Sequence, residues 1–104
     1  MATVTKVLAR TAAATSSTVL YTVPASTTTV VSNIAVTNTA GSAGTFTLGM
    51  GTAGSNTSLH TTTAIAANTT VYIDLKQVLV TTNTITGTAS ATTINFHISG
   101  VEIA

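Results

Sequence analysis

Residues Val19 to Thr39, VLYTVPASTTTVVSNIAVTNT, carry the strongest strand and turn signals of this chain. The stretch is rich in β-branched and aromatic residues, which fit the pleated, half-buried surface of a strand. In its second half a spacing of two places one set of side chains on one face: Val30, Ser32, Ile34 and Val36. Proline cannot donate to a strand ladder, so Pro24 favours a turn between two extended segments. The stretch therefore predicts a β-hairpin whose connection is Pro24-Ala25-Ser26.

Similar short segments recur along the chain at a spacing of roughly 8–12 residues, with turn residues between them. The further strands predicted are Thr3–Leu8, Thr45–Met50, Leu59–Ile65, Val71–Leu75 with the apolar Val78-Leu79-Val80 after it, Thr84–Ala89 and Thr92–Ile103. Ala40–Gly44 and Gly51–Ser58 are predicted to be loops, and Gly100 suggests a β-bulge in the last strand. No segment carries an apolar stripe with the period of a helix.

These strands, about eight in number, predict an all-β, single-domain antiparallel β-sandwich. The Cys and Trp residues of an immunoglobulin domain are absent, so a jelly roll is the favoured topology. Residues 1–17 are predicted to form an N-terminal strand or arm, and residues 18–104 the sandwich, within one domain overall.

The composition is unusual in its charge. Only 5% of the 104 residues are charged and the net charge is +1, whereas about 25% of an ordinary soluble domain is charged. A surface covered by Thr, Ser, Asn and Ala has little electrostatic protection against self-association. We therefore expect much of it to be covered by other subunits or by a larger assembly.

Catalytic, cofactor and metal sites are not predicted, and the chain is not expected to be an enzyme. The stretch Gly49–Gly54 matches G-x-G-x-x-G, but a dinucleotide site needs a following helix, and the Thr-rich sequence after it predicts a hairpin loop instead. The chain has no Cys, two carboxylates and two imidazoles, which is a thin supply of metal ligands or catalytic groups. Asp74 and Glu102 could pair with Lys76 and Arg10, or be solvated.

Nucleic acid and membranes are not expected partners. Three cations and four aromatic residues do not form a basic patch with aromatics. The sequence also lacks an apolar run near the ~20 residues that a membrane helix requires.

Four residues are the candidate partner-binding residues. Lys6 and Arg10 are basic and lie in a stretch of 73 residues without an acid, which could place them on an acidic partner. Lys6 would also discourage edge-to-edge pairing of the first strand. His97 alternates with Phe96 and Ile98 and should face outward, and His60, at the start of a Thr run, is expected to be exposed.

Three phrases of the sequence resemble short all-β virion proteins of tailed bacteriophages: LYTVPASTTTVVSNIAVTNT, AIAANTTVYIDL and INFHISGVEI. The resemblance runs from about Leu20 to Ile103 and rests on strand and turn patterns. It implies a capsid decoration, or cement, protein at the capsid surface, which binds the major capsid protein as a homo-oligomer, expected to be a trimer. It implies contacts from Met1–Ser17 and from the loops near Gly41–Gly44 and Gly51–Ser58, and no cofactor.

Two other classes remain open. A tail, neck or fibre module, structural or receptor-binding, would use the same sandwich, with Tyr21, Tyr72 or His60 at the rims of loops. An enzyme is the more distant alternative, and it would require activity that depends on His60 or His97.

Overall fold

The computed structural model describes residues 3–52 and 54–104. These residues contain eight strands, joined by turns and loops, and no helix. The strands are β1 (Thr3–Ala12), β2 (Thr18–Thr22), β3 (Thr28–Asn38), β4 (Gly44–Thr52), β5 (Ser55–Ile65), β6 (Thr69–Leu79), β7 (Asn83–Ala89) and β8 (Ile94–Ile103). Within those residues there is no helix of the length and hydropathy that crossing a membrane requires.

The strands form two four-stranded antiparallel sheets. The first sheet has the order β1-β8-β3-β6 and the second the order β2-β7-β4-β5. Consecutive strands mostly alternate between the sheets, which is the topology of a jelly roll. The predicted β-sandwich is confirmed, as is the edge position of the first strand.

The predicted hairpin between Val19 and Thr39 is wrong. β2 pairs with β7 in the second sheet, while β3 lies between β8 and β6 in the first. The segment around Pro24 therefore crosses from one sheet to the other, with Ser26 at a φ of 54°. Periodicity and proline predicted the strands and the turn correctly, but they do not determine which strands share hydrogen bonds.

The core lies between the two sheets and consists of inward-facing aliphatic and aromatic side chains. Phe46 of the second sheet meets Phe96 of the first edge to face, with ring centroids 6.3 Å apart. The alternation predicted for β8 is confirmed, because Ile94, Phe96 and Ile98 are fully buried and His97 is exposed.

Gly100 permits a close approach between strands and does not form the predicted bulge. The register shifts lie instead in the neighbouring strands, around Leu8 in β1 and Ser32 in β3. A Cβ atom on Gly100 would overlap the carbonyl oxygen of Val30 and lie 2.9 Å from Leu8 Cδ1. The shift at Ser32 also places Val30 and Ile34 on opposite faces, so the single face predicted for β3 is wrong.

The predicted loop at Gly51–Ser58 is mostly strand. β4 continues to Thr52 and β5 begins at Ser55, so the two form a tight hairpin in which Gly54 has a φ of 80°. Ala53 lies outside the described residues. No helix follows the glycine-rich motif, so the hairpin predicted for it is confirmed.

Candidate functional site

The outer face of the first sheet carries a row of side chains that the strand register places side by side. Arg10 of β1 is opposite His97 of β8, His97 is opposite Ala35 of β3, and Ala35 is opposite Tyr72 of β6. Directly opposed side chains in antiparallel strands have Cβ atoms about 4.5–5.5 Å apart. We call these four residues the Arg10 row.

Every member of the Arg10 row except Ala35 is exposed, and Tyr72 is 72% exposed. The small Ala35 leaves space between the imidazole and the phenol. A guanidinium offers a planar set of donors that matches a carboxylate, and Arg and Tyr are enriched among the residues that dominate binding energy at protein interfaces. The row therefore has the chemistry of a protein contact surface.

Arg10 keeps its charge available for such a contact. Among residues 3–52 and 54–104 the single salt bridge joins Lys6 to Glu102. Asp74 lies one outward-facing position from Tyr72, and its Oδ1 accepts from Asn33 Nδ2 at 3.5 Å. The structure brings two of the four predicted residues together, Arg10 and His97.

Lys6 belongs to a polar network at one end of the sandwich. Its Nζ lies 3.3 Å from each carboxylate oxygen of Glu102. Glu102 also accepts from the Tyr21 hydroxyl at 2.5 Å, and that hydroxyl lies 2.8 Å from Thr29 Oγ1. The carboxylate expected to pair with Arg10 or Lys76 is therefore bound by Lys6 and Tyr21.

The network shifts the protonation of two of its members. The hydrogen bond from Tyr21, and then the hydrogen bond and charge of Lys6, lower the pKa of Glu102, with burial acting in the opposite direction. Burial, and then the hydrogen bond to Glu102, raise the pKa of Tyr21 to about 12. A lowered carboxyl pKa means that the stability contributed by Glu102 is present above its ordinary pKa and is lost as the pH falls through the lowered value.

His60 lies on the other sheet, away from the Arg10 row. Its ring packs at 5.7 Å from the ring of Phe46, and its Nδ1 is 3.3 Å from Thr63 Oγ1. The side chain is half-buried, so its predicted exposure is wrong. In the part of the chain that the structure describes, no three His, Asp or Glu residues converge as metal ligands would.

The outer face of the second sheet offers a shallow groove of about 440 Å³ with different chemistry. Its lining is small and uncharged: Ser17, Val19, Thr47, Gly49, Gly54, Asn56, Ser58, Thr86, Gly87 and Thr88. The Asn56 side-chain amide is held by the hydroxyls of Thr84 and Thr86 at 3.0 and 2.9 Å. This groove can make neutral hydrogen bonds, but it presents no aromatic ring among the described residues.

The tyrosines do not lie at the rims of loops. Tyr21 is buried in β2, and Tyr72 is in the middle of β6. The alternation of Val71, Ile73 and Leu75 indicated that Tyr72 faces outward, but its place in the Arg10 row depends on a register between distant strands. The sequence does not show this register, so it could not predict that Tyr72 lies in the same row as Arg10 and His97.

Comparisons with known proteins identify the fold. No protein-family model and no curated protein matches the chain. Among solved structures, a chain of the T13 viral particle of IBDV has a TM-score of 0.61 at 9% identity, over 97% of this chain and 30% of that one. A chain of infectious bursal disease virus, Gx strain, has a TM-score of 0.59 at 13% identity, over 97% of this chain and 32% of that one.

A chain of the Bacillus endospore appendages, which form a family of disulfide-linked pili, is also similar. Its TM-score is 0.60 at 14% identity, over 98% of this chain and 88% of that chain. This chain thus spans about a third of the viral chains and most of the appendage chain. At such low identities the likeness shows that all of them share the jelly-roll fold.

Proposed function

We propose that this chain is a structural virion protein of a tailed bacteriophage, a decoration protein that binds the major capsid protein on the head surface as a symmetric trimer. The observation that carries the proposal is the Arg10 row, an exposed cation, imidazole and phenol aligned across one sheet face. The likeness of the fold to chains of virus particles, together with the sequence phrases that resemble those of phage virion proteins, supports a virus particle as the setting.

Binding through such a row is weak for one copy and strong for several. A symmetric oligomer repeats the row around its axis, so that several capsid subunits are contacted at once and the modest affinities combine. A ligand that binds only the assembled shell stabilises that shell by mass action. This role requires an exposed binding surface and a symmetric oligomer, and it makes no use of catalytic groups.

The test is binding of purified protein to heads that lack it. We expect Arg10→Glu and Tyr72→Ala each to weaken binding by about tenfold or more, since both remove groups typical of binding hot spots. Thr92→Glu introduces a negative charge on an exposed turn outside the row and is the control. Unchanged binding of Arg10→Glu, His97→Ala and Tyr72→Ala would contradict the proposal.

A subunit of a tail or fibre is the second candidate. It is favoured by the match to the appendage chain, which extends over 88% of that chain. Copy number in purified virions, measured by quantitative mass spectrometry against the major capsid protein, separates the two. A simple ratio such as one to one supports decoration of the whole head, a few copies per particle support the tail or fibre, and absence from the virion rejects both.

A further inference from the structure

The exposed large apolar side chains are confined to the two lateral edges of the sandwich. Among the described residues they are Val4 and Val7 on β1, Val19 on β2, Tyr72 and Val78 on β6, and Val80 directly after β6. The four interior strands β3, β4, β7 and β8 have none. An apolar edge strand with unpaired backbone groups is a template for pairing with another chain.

The two edge strands of the first sheet are better suited to pair with another chain than the edge strands of the second sheet. β1 has 10 residues and β6 has 11, and the one proline of the chain lies in neither. In the second sheet β2 has only 5 residues, and β5 has two register shifts against β4 and Thr62 at a φ of 44°, whereas β1 and β6 each have a single register shift and no positive φ. Short and irregular edge strands resist pairing, so the open edges are β1 and β6.

The lysine expected to guard β1 is drawn towards a carboxylate of its own subunit. A lysine protects an edge when its charge projects into the space that a second chain would occupy. Lys6 Nζ is instead bound to both oxygens of Glu102 at 3.3 Å, within its own subunit. The exposed side chains beside it on β1 include Val4 at 51% and Val7 at 46%.

The strand directions make β1 and β6 complementary. β1 and β3 both run antiparallel to β8, and β6 runs antiparallel to β3, so β1 and β6 run in opposite directions. A second copy shifted sideways without being inverted therefore places its β6 antiparallel to the first copy's β1. Charge disfavours the alternative pairing of β1 with β1, because β1 carries two cations and no acid, whereas β6 carries both Lys76 and Asp74, the one acid on an edge strand of the described residues, and is neutral overall.

We infer that β1 of one copy pairs antiparallel with β6 of a second copy, so that the first sheet continues from subunit to subunit. Such a head-to-tail interface closes into a ring if its rotation permits and otherwise extends as a filament. The inference goes beyond the proposed function, which requires an oligomer but does not say how it is built. It concerns the isolated protein, so its failure can be distinguished from a failure to bind capsids.

Two variants that each block one edge provide the test. Val7→Lys blocks β1 and Val78→Lys blocks β6, and both positions are exposed, at 46% and 62%, so the fold should tolerate them. Thr92→Lys adds the same charge on an exposed turn away from the edges and is the matched control. Association is measured by sedimentation velocity over a concentration series, and folding by circular dichroism and thermal melting.

We expect wild type and Thr92→Lys to form oligomers larger than a dimer, and each edge variant alone to associate about tenfold more weakly or worse. Mixed together, the two variants should form a dimer of one copy of each, since one keeps an intact β6 and the other an intact β1. Homodimers of Val78→Lys would indicate β1-to-β1 pairing, and homodimers of Val7→Lys would indicate β6-to-β6 pairing. Either result, a monomeric wild type, or unchanged association of both folded variants would overturn the inference.

Discussion

The two ends of the sandwich are closed by polar side chains of different kinds. At one end a single neutral side chain is sufficient: Asn38 is 1% exposed, and its Nδ2 donates to the carbonyl oxygen of Ser42 at 2.9 Å and lies 3.4 Å from those of Ile65 and Ala66. Its Oδ1 accepts from the backbone N–H of Ala40 at 3.0 Å. One amide thereby ties β3 to the connections that follow β3 and β5.

The opposite end of β3 is closed by side chains that carry charge. Glu102 links Lys6 of β1 with Tyr21 of β2, and Tyr21 in turn contacts Thr29 of β3. The Asn38 end makes neutral contacts with main-chain atoms, whereas the Glu102 end depends on the protonation of two side chains. The stability of the Asn38 end should therefore respond to a change of shape alone, and that of the Glu102 end also to pH.

The largest effect is expected from Asn38→Asp. The substitution keeps the shape but replaces the donating amide with an oxygen that faces carbonyl oxygens, and an uncompensated buried charge costs about 4 kcal/mol. Asn95→Asp makes the same change on the outer face of β8, where the side chain is half-buried, and should cost less than about 1 kcal/mol. Urea unfolding of both variants at neutral pH measures the difference. If the two cost the same, the Asn38 end is not a closed polar site.

A smaller effect is expected at the Glu102 end from Gly100→Ala. The added methyl group would overlap the Val30 carbonyl oxygen and crowd Leu8, which costs about 2 kcal/mol when strands must separate. Gly41→Ala, in a connection where a Cβ meets no atom within 4 Å, is the control and should be nearly neutral. Equal midpoints of urea unfolding for the two variants would show that β3 and β8 are not held tightly at this end.

The sequence predicted the strands well because their signal is local. Alternation located β8 and the outward side of His97, and turn residues separated the elements. It failed where the answer depends on pairing: β2 and β3 look like a hairpin along the chain, but they belong to different sheets because their apolar faces meet across the core. The bulges at Leu8 and Ser32 were missed for the same reason, since a bulge is defined by the partner strand.

The candidate site was predictable only in part. Arg10 and His97 stood out because charged and imidazole groups are rare in this chain, but residues 87 positions apart become neighbours only through the register of β1 with β8. Lys6 stood out for the same reason and has a different role, in the network around Glu102. Rarity singled out the residues, and the topology determined which of them share a surface.

The smallest effect at neutral pH is expected from Tyr21→Phe, and it separates the two ends most clearly. Loss of the hydroxyl removes hydrogen bonds to Glu102 and Thr29 and should cost about 1 kcal/mol at pH 7.

Folding raises the pKa of Tyr21 from 10.0 to about 12, so the folded protein holds the phenol proton more tightly than the unfolded chain does. The stability from this difference is complete below pH 10 and is lost as the pH rises from 10 to about 12. The gap in the free energy of unfolding between wild type and Tyr21→Phe should therefore narrow over that range. Because other groups that titrate at high pH are common to the proteins, they cancel in the difference, and a gap that stays constant from pH 8 to 12 would show that the Glu102 end is no more sensitive to pH than the Asn38 end.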